Sequence, residues 1–487
     1  MHDQQSKPVG KQAVTRRSFF ERAVDGLQGA ALVSLLSKDL YGAASVNDRT
    51  QEGIYDLKPR APHFPATAKS VIQLFMNGAP SHVDLFDPKP MLDKHHGEPY
   101  FDKIANDVSF PKAAGGLMRS PFKFQQHGKS GIWVSELMPH FAKQVDNVAM
   151  IRSMYTIHPE HEPALFMVHS GRIMPGRPAI GSWVIYGLGT ENQSLPAYVV
   201  LDDPLGLPIN GVQSWQSGFL PPVFQGTRLR TNGSPILNLK PEAETPSEVV
   251  RLTRDLLGRL DQIHKRNHPG EGQLDARIAS YELAARMQMQ ASDALDISKE
   301  TDATCQMYGI GDDATDSYGK RCLMARRLVE RGVRYIQIYI NGQIWDHHTN
   351  LESGMRSCCL RTDKPVAGLL EDLNQRGLLK DTLVIWGGEF GRLPISQLGG
   401  ASDGRDHNPR GFCVWMAGAG VKPGISYGNT DELGYKAVEN PVSVTDWQAT
   451  VLRLLGLDYQ KLTFDDNGLK EKLTSVYEAK IVEGILA

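Results

Sequence analysis

Residues 318 to 340 place the tightest local constraint on the fold. Tyr318, Cys322, Ala325 and Val329 recur at helical spacing, which puts apolar side chains on one face. Gly332 stops that helix, and Tyr335-Ile-Gln-Ile-Tyr-Ile340 follows at once with the residue types of a buried strand. A helix that feeds directly into such a strand is one half of a β-α-β crossover, the unit from which parallel sheets are built. Further strands are expected at Ser70 to Met76, Val145 to Ile151, Pro196 to Leu201, Thr382 to Trp386 and Phe412 to Ala417. Ser443-Val-Thr-Asp446 is a capping pattern ahead of Val444, Trp447, Val451 and Leu454, a helix stopped by Gly456. Ser247 to about Lys299, dense in Leu, Ala, Arg, Glu and Gln, reads as a helical insertion broken near Asn267-His-Pro-Gly270. The expectation is one α/β domain over residues 45–487 with a mostly parallel central sheet. Within it, the segment at about 202–303 is expected to be a helical or irregular elaboration.

With 487 residues, 41% hydrophobic, 22% charged and a formal net charge of -2, the composition shows no bias toward nucleic acid or an anionic membrane. Partners must therefore be read from local sites. Five cysteines, an odd count that includes the vicinal Cys358-Cys359, give no disulfide framework and no metal-finger spacing. At the N-terminus, Thr15-Arg16-Arg17-Ser18-Phe19-Phe20 is followed by the apolar Ala30 to Leu36 and the small Gly42-Ala43-Ala44. That order fits a twin-arginine (Tat) signal peptide over residues 1–44 better than a basic surface helix. It implies the Tat translocase as a partner during export and a periplasmic or secreted mature chain. The apolar part is too short for a stable membrane span, and no other run approaches about 18 apolar residues.

Histidines and acids recur beside the expected strand ends. The groups are Ser81-His82-Val83-Asp84-Leu85-Phe86-Asp87, His158-Pro-Glu-His161-Glu162, Trp345-Asp346-His347-His348, Glu389 in Gly387-Gly-Glu-Phe-Gly-Arg392, and Gly404-Arg405-Asp406-His407-Asn408. Imidazole with carboxylate is a ligand set for zinc, manganese or iron. A single surface Asp or His is more often solvated or a cap, but a sheet would gather groups from several strand ends to one place. His348 is the better candidate of the adjacent pair, and Trp345 reads as packing. Arg392 and Arg405 could each grip an anionic ester or simply pair with nearby acids. Asp84 and Asp87 stand equally between capping the turn before Pro88 and holding a metal.

The run Phe75-Met-Asn-Gly-Ala-Pro-Ser-His-Val-Asp-Leu-Phe-Asp-Pro-Lys-Pro90, with Ile344-Trp-Asp-His-His348, Gly388-Glu-Phe-Gly-Arg392 and Gly404-Arg-Asp-His407, resembles the DUF1501 family in motif order across nearly all of the mature chain. That family is grouped with the alkaline phosphatase and sulfatase superfamily, is abundant in planctomycetes and commonly carries a Tat signal. The resemblance implies an alkaline phosphatase-like three-layer α/β sandwich and a two-metal site for hydrolysing phosphate or sulfate esters. By position, Asp346, His348 and His407 look like ligands of one divalent metal, with zinc, manganese or calcium as candidates. Glu389 stands where the superfamily has an Asp-His ligand pair, with Phe390 in place of that histidine. Asn77 falls where the first Asp ligand is usual, so His82 or Asp84 would complete a second site. His161 occupies the place of the usual nucleophile, and a metal-activated water is then the simpler attacker.

The resemblance thus implies catalytic roles for His161 and Arg405, a substrate-binding role for Arg392, and an anionic small-molecule or glycan ester as ligand. The rival expectation is a non-catalytic periplasmic or secreted binding protein that keeps the fold, since fold does not carry activity with it.

Overall fold

The computed structural model describes residues 56–230, 246–268, 278–279, 281–283, 294–399 and 402–487. The segment expected to be a Tat signal lies outside the described residues. The chain divides into two compact units, Met1–Gly53 with Ile236–Gly270, and Ile54–Pro235 with Glu271–Ala487. In the first unit the described residues form the helix Ser247–Asn267, whose Leu252, Leu256, Leu260 and Ile263 lie about half exposed at helical spacing.

The second unit is built on a sheet of nine strands among the described residues. They are β1 (Ser70–Phe75), β2 (Val148–Tyr155), β3 (Tyr198–Leu201), β4 (Thr227–Leu229), β5 (Tyr335–Tyr339), β6 (Thr382–Gly387), β7 (Phe412–Ala417), β8 (Ile425–Tyr427) and β9 (Val442–Ser443). Their order is β8-β2-β7-β6-β1-β5-β3-β4, with β9 also paired to β2. Only β7 runs antiparallel to its neighbours. Phe75 is in register with both Tyr339 and Gly387, so β1, β5 and β6 end flush along one edge. Phe412 pairs with Met154, which brings the start of the reversed strand β7 to that same edge. Every residue of β1, β5, β6 and β7 is buried. Strands covered on both faces read as continuous apolar runs, which is why these were legible in the sequence.

The layers on the sheet's faces include the helices α1 (His161–Ser170), α2 (Ile180–Leu188), α3 (Asp316–Glu330), α4 (Leu351–Gln375) and α5 (Val444–Leu454). Residues of α1, α2 and α5 share one core with Val71, Phe75, Tyr335, Tyr339, Leu383 and Ile385. On the other face α3 packs on α4 and against β5. The expected capping box is present, with Ser443 Oγ accepting from Asp446 N and Asp446 Oδ2 accepting from Ser443 N, both at 3.0 Å.

Several details differ from the expectation. Residues 145–147 belong to the 3-10 turn Phe141–Asn147, and the strand runs on to Tyr155. β4 lies inside the stretch read as an elaboration yet extends the sheet, its three residues being too few to show a period. The 25-residue α4 carries Gly354 and Pro365, both of which argue against a helix in local terms. All five cysteines are free, and no helix among the described residues is long and apolar enough to cross a membrane.

Polar side chains also enter the core. Gln73 and Gln337 face each other across β1 and β5, and Tyr335 OH and Gln337 Nε2 both donate to Gln73 Oε1 at 2.9 Å. His169 of α1 meets this group, its Nε2 lying 3.2 Å from Tyr339 OH. Burial lowers the His169 pKa to about 3. Between pH 6.5 and that value the unfolded chain binds a proton that the folded chain refuses, so stability rises with pH across this window and is lost on acidification. Replacing His169 by Phe should flatten the acid limb of stability by up to about 1.4 kcal/mol per pH unit, read by urea denaturation at about pH 6 and about pH 4.

Candidate metal centre

The common edge of β1, β5, β6 and β7 is where the candidate residues collect. β1 runs into Asn77-Gly78-Ala79, and the loop after β5 lies directly on this turn, with Trp345 N donating to Asn77 O at 3.2 Å. Gly78 has φ +100°, and a Cβ there would stand 2.7 Å from Asp346 N and 2.8 Å from Gln343 O. Glycine is required for the close approach that sets Asp346 in place. The loop before β7 presses on the same segment, since a Cβ on Gly404 would meet His347 O at 2.2 Å.

Four side chains converge here: His161 from the first turn of α1, Asp346 and His348 from the loop after β5, and His407 from the loop before β7. One ligand atom from each lies within 4.8 Å of all the others. Asp346 Oδ1 is 3.0 Å from His348 Nε2 and 3.5 Å from His407 Nε2, while Asp346 Oδ2 is 3.4 Å from His161 Nε2. His348 Nε2 and His407 Nε2 are 2.9 Å apart. Bonds of about 2.1 Å in a tetrahedron give edges of about 3.4 Å, so these separations fit donors around one small cation. His161 Nε2 is buried and makes no hydrogen bond in the protein, as expected of a donor atom meant for something else.

Behind the cluster lies a second set of contacts. Glu389 is wholly buried, and its Oε1 accepts from Gly78 N at 3.0 Å and from His161 Nδ1 at 2.6 Å. His348 Nδ1 meets Gln397 Oε1 at 2.5 Å. In both rings an oxygen stands behind Nδ1 and Nε2 faces the cluster, with a carboxylate behind His161 and an amide behind His348, a placement that orients histidines as metal ligands. The third ring, His407, has no partner for its buried Nδ1 and is held by packing, with Phe390 4.7 Å from it and 4.8 Å from His161 between ring centroids.

Electrostatics sort the donors. Burial opposes charge on Asp346, but the Arg392 guanidinium and the three imidazoles outweigh it and hold its carboxyl far below the usual range. Burial, reinforced by Arg392, lowers the His407 pKa to about 3 and keeps the ring neutral. Burial also opposes charge on His161, yet the carboxylates of Asp346 and Glu389 on either side of the ring prevail and raise its pKa. A charged oxygen and neutral nitrogens are the forms that bind cations.

Other candidates lie elsewhere. Glu389 supports His161 and is not among the converging donors. Arg392 is buried, with Nε on Ala79 O at 3.0 Å, Nη1 on Arg405 O at 3.2 Å, and Nη2 on Gly78 O and on Asp346 Oδ1 at 2.6 Å. That leaves no open fork for an ester, and its role is to anchor Asp346. Arg405 and Asp84 form a fully buried two-pronged pair, at 2.8 and 3.2 Å, removing the first from the substrate and the second from any ligand set. His82 is turned to Gly434 O at 2.7 Å. Asp87 pairs with Lys89 at 2.9 Å, and His347 faces Cys358 at 4.0 Å, away from the cluster. Gln397 had no signal in the sequence, because nothing local marks a glutamine as the partner of a distant ring.

A family model described as "Protein of unknown function (DUF1501)" matches residues 68–486. No curated protein matches the sequence. Similar solved structures include the lipoteichoic acid synthase LtaP from Listeria monocytogenes, at 8% identity over 81% of this chain and 74% of that chain, TM-score 0.34. The PsFucS1 sulfatase from Pseudoalteromonas sp. is 11% identical over 82% of this chain and 68% of that chain, TM-score 0.34. Alkaline phosphatase from the Antarctic bacterium TAB5 is 11% identical over 74% of this chain and 94% of that chain, TM-score 0.29. The α/β fold class itself rests on the strand order and register given above.

The placement of Asp84 is open to a direct measurement. Replacing it by Ala strands the Arg405 charge in the core and should cost roughly 3–5 kcal/mol of stability, read by urea denaturation. A loss under about 1 kcal/mol would contradict the structural role.

Proposed function

The chain belongs to the DUF1501 family, and on that premise we propose that it is an exported metal-dependent hydrolase of a phosphate or sulfate ester, with one ion held by His161, Asp346, His348 and His407. The convergence of these four donors, with His161 Nε2 buried and making no hydrogen bond, carries the reading. Three imidazoles and one carboxylate suit zinc or manganese; calcium, which prefers oxygen ligands, fits poorly. When bound, such an ion supplies a Lewis acid for the ester oxygen and lowers the pKa of water toward neutrality.

The protein's own groups then have separable tasks. Arg392 keeps Asp346 ionised and fixed, while Glu389 and Gln397 orient His161 and His348. His161 opens the ten-residue α1, whose N-terminus has no side-chain cap, so its dipole favours an anion beside the cluster. Water is the attacker in this reading, because His161 stands in the place of the usual hydroxyl or thiol. The twin-arginine order of residues 1–44 supports export and a periplasmic or secreted location. A glycan or small-molecule ester is the proposed partner.

Elemental analysis of the purified protein should find about one zinc or manganese ion per chain, with His407→Ala losing it. Aryl phosphate or aryl sulfate should turn over and stop turning over after chelation. Metal without turnover would replace the hydrolase by the non-catalytic binding protein, and absence of metal would remove the centre itself. Metal uptake must displace any proton on His161, whose pKa is raised above 6.5, so affinity should fall by up to about tenfold per pH unit as pH drops below that value. Glu389→Gln removes the raising charge, moves this dependence to lower pH, and should weaken metal binding about tenfold where the ring is already neutral.

A further inference from the structure

The four donors differ in exposure. The side chains of Asp346 and His348 keep 20% and 23% of their surface exposed, whereas His161 keeps 9%, His407 4% and Glu389 none. A ligand therefore arrives over His348. The residue standing at that opening is Phe110, whose ring meets His348 edge-on at 5.1 Å and 77° while the side chain stays 48% exposed.

A half-exposed phenylalanine is common on protein surfaces and by itself needs no explanation. What sets Phe110 apart is how its position is determined. Asp406, almost fully buried, accepts from Ser109 N at 2.7 Å and Phe110 N at 3.0 Å through Oδ2, and from His407 N at 2.8 Å through Oδ1. Ser109 Oγ also reaches Glu160 Oε1 at 3.4 Å, next to His161. One carboxylate thus fixes the backbone of a candidate ligand and of the aromatic residue at the mouth. The ring is held at a set distance from the centre without being buried, the arrangement of a preorganised contact surface. Charge offers little selectivity for the part of a substrate beyond its anion, because Arg392 and Arg405 are both consumed internally.

Resting on the ester reading above, we propose that Phe110 is a specificity residue: it stacks the alcohol portion of the substrate, so the preferred ester carries a ring with a flat apolar face. The ring lies over Phe110 while the anionic end reaches Asp346 and His348. An aryl group and the C–H face of a sugar share this chemistry.

The test uses the metal-loaded protein and non-hydrolysable anions, so that it does not depend on turnover. Isothermal titration compares methylphosphonate with phenylphosphonate and with a C-linked glucosyl phosphonate. At least one ring compound should bind about fivefold more tightly than methylphosphonate, and the tighter of the two identifies the source of the ring. Phe110→Ala should erase that preference, and Phe110→Trp should keep it. Equal affinities in the parent protein, or a preference that survives Phe110→Ala, would overturn the proposal while leaving the ester reading intact. Failure of every anion to bind would remove the ester reading and this inference together. Metal content is measured in parallel: a Phe110→Ala protein that loses its metal would overturn the proposal by reducing Phe110 to a support for His348.

Discussion

One guanidinium holds the centre together. Arg392 follows β6 in the chain, yet its hydrogen bonds go to Gly78 and Ala79 after β1, to Asp346 after β5, and to Arg405 before β7. Four segments, the most distant 314 residues from Arg392 in the chain, therefore meet on a planar group with donors in fixed directions. A lysine would supply the charge but not this fork. Because the acceptors include three carbonyls and one carboxylate, the buried charge is both neutralised and hydrogen-bonded, the condition under which burying an ion is tolerable. The strand ends deliver the segments to one edge, and Arg392 sets their spacing once they are there.

Asp84 and Arg405 show how similar parts serve a different end. Both members of that pair are fully buried, and each prong is satisfied within the fold, so the pair gives orientation to the neighbouring loops and has no reach to solvent. Asp346 is also paired with an arginine, but it keeps a side open and shares its oxygens with three imidazoles. The difference between a staple and a candidate ligand is thus exposure and the company of neutral nitrogen donors. Burial also keeps His407 neutral, while Glu389 gives His161 its orientation at the cost of a higher proton affinity.

Much of this was legible in the sequence, for physical reasons that can be named. β1, β5, β6 and β7 are covered on both faces, so their apolar runs stood out, and the stop at Gly332 exposed the crossover. The recurrence of His and acid groups at strand ends pointed to Asp346, His348 and His407 as ligands of one ion, because a parallel sheet gathers those ends, whereas His161 was expected in the nucleophile's place and Glu389 among the ligands. Assignments within the motifs were less accessible. Glu389, Arg392, Arg405 and Asp84 all belong to suggestive stretches, but whether a charged side chain points to the opening or into the packing depends on contacts hundreds of residues away. α4 was hidden for a different reason, since tertiary burial of Met355, Cys358, Val366 and Leu370 overrides the local cost of Gly354 and Pro365.

On the proposed function, the balance of charge would tie the two ligands of this centre to each other. With the imidazoles neutral, Asp346, Glu389 and the buried Asp406, 4.0 Å from His348 Nδ1, outnumber Arg392, so the cluster without an ion carries two negative charges in excess. An ester dianion meets repulsion there, in a partly buried place where screening by salt is weak. A divalent cation would cancel that excess, and the uncapped start of α1 would then add partial positive charge. On that reading the anion would favour the metal-loaded form over the metal-free one. Since coupling between two bound species is reciprocal, an ester anion must tighten the metal by the same factor. Arg392 limits how far this goes, because its fixed charge beside Asp346 already offsets part of the negative charge that draws the cation in. The arginine that assembles the centre thus also moderates its hold on the ion.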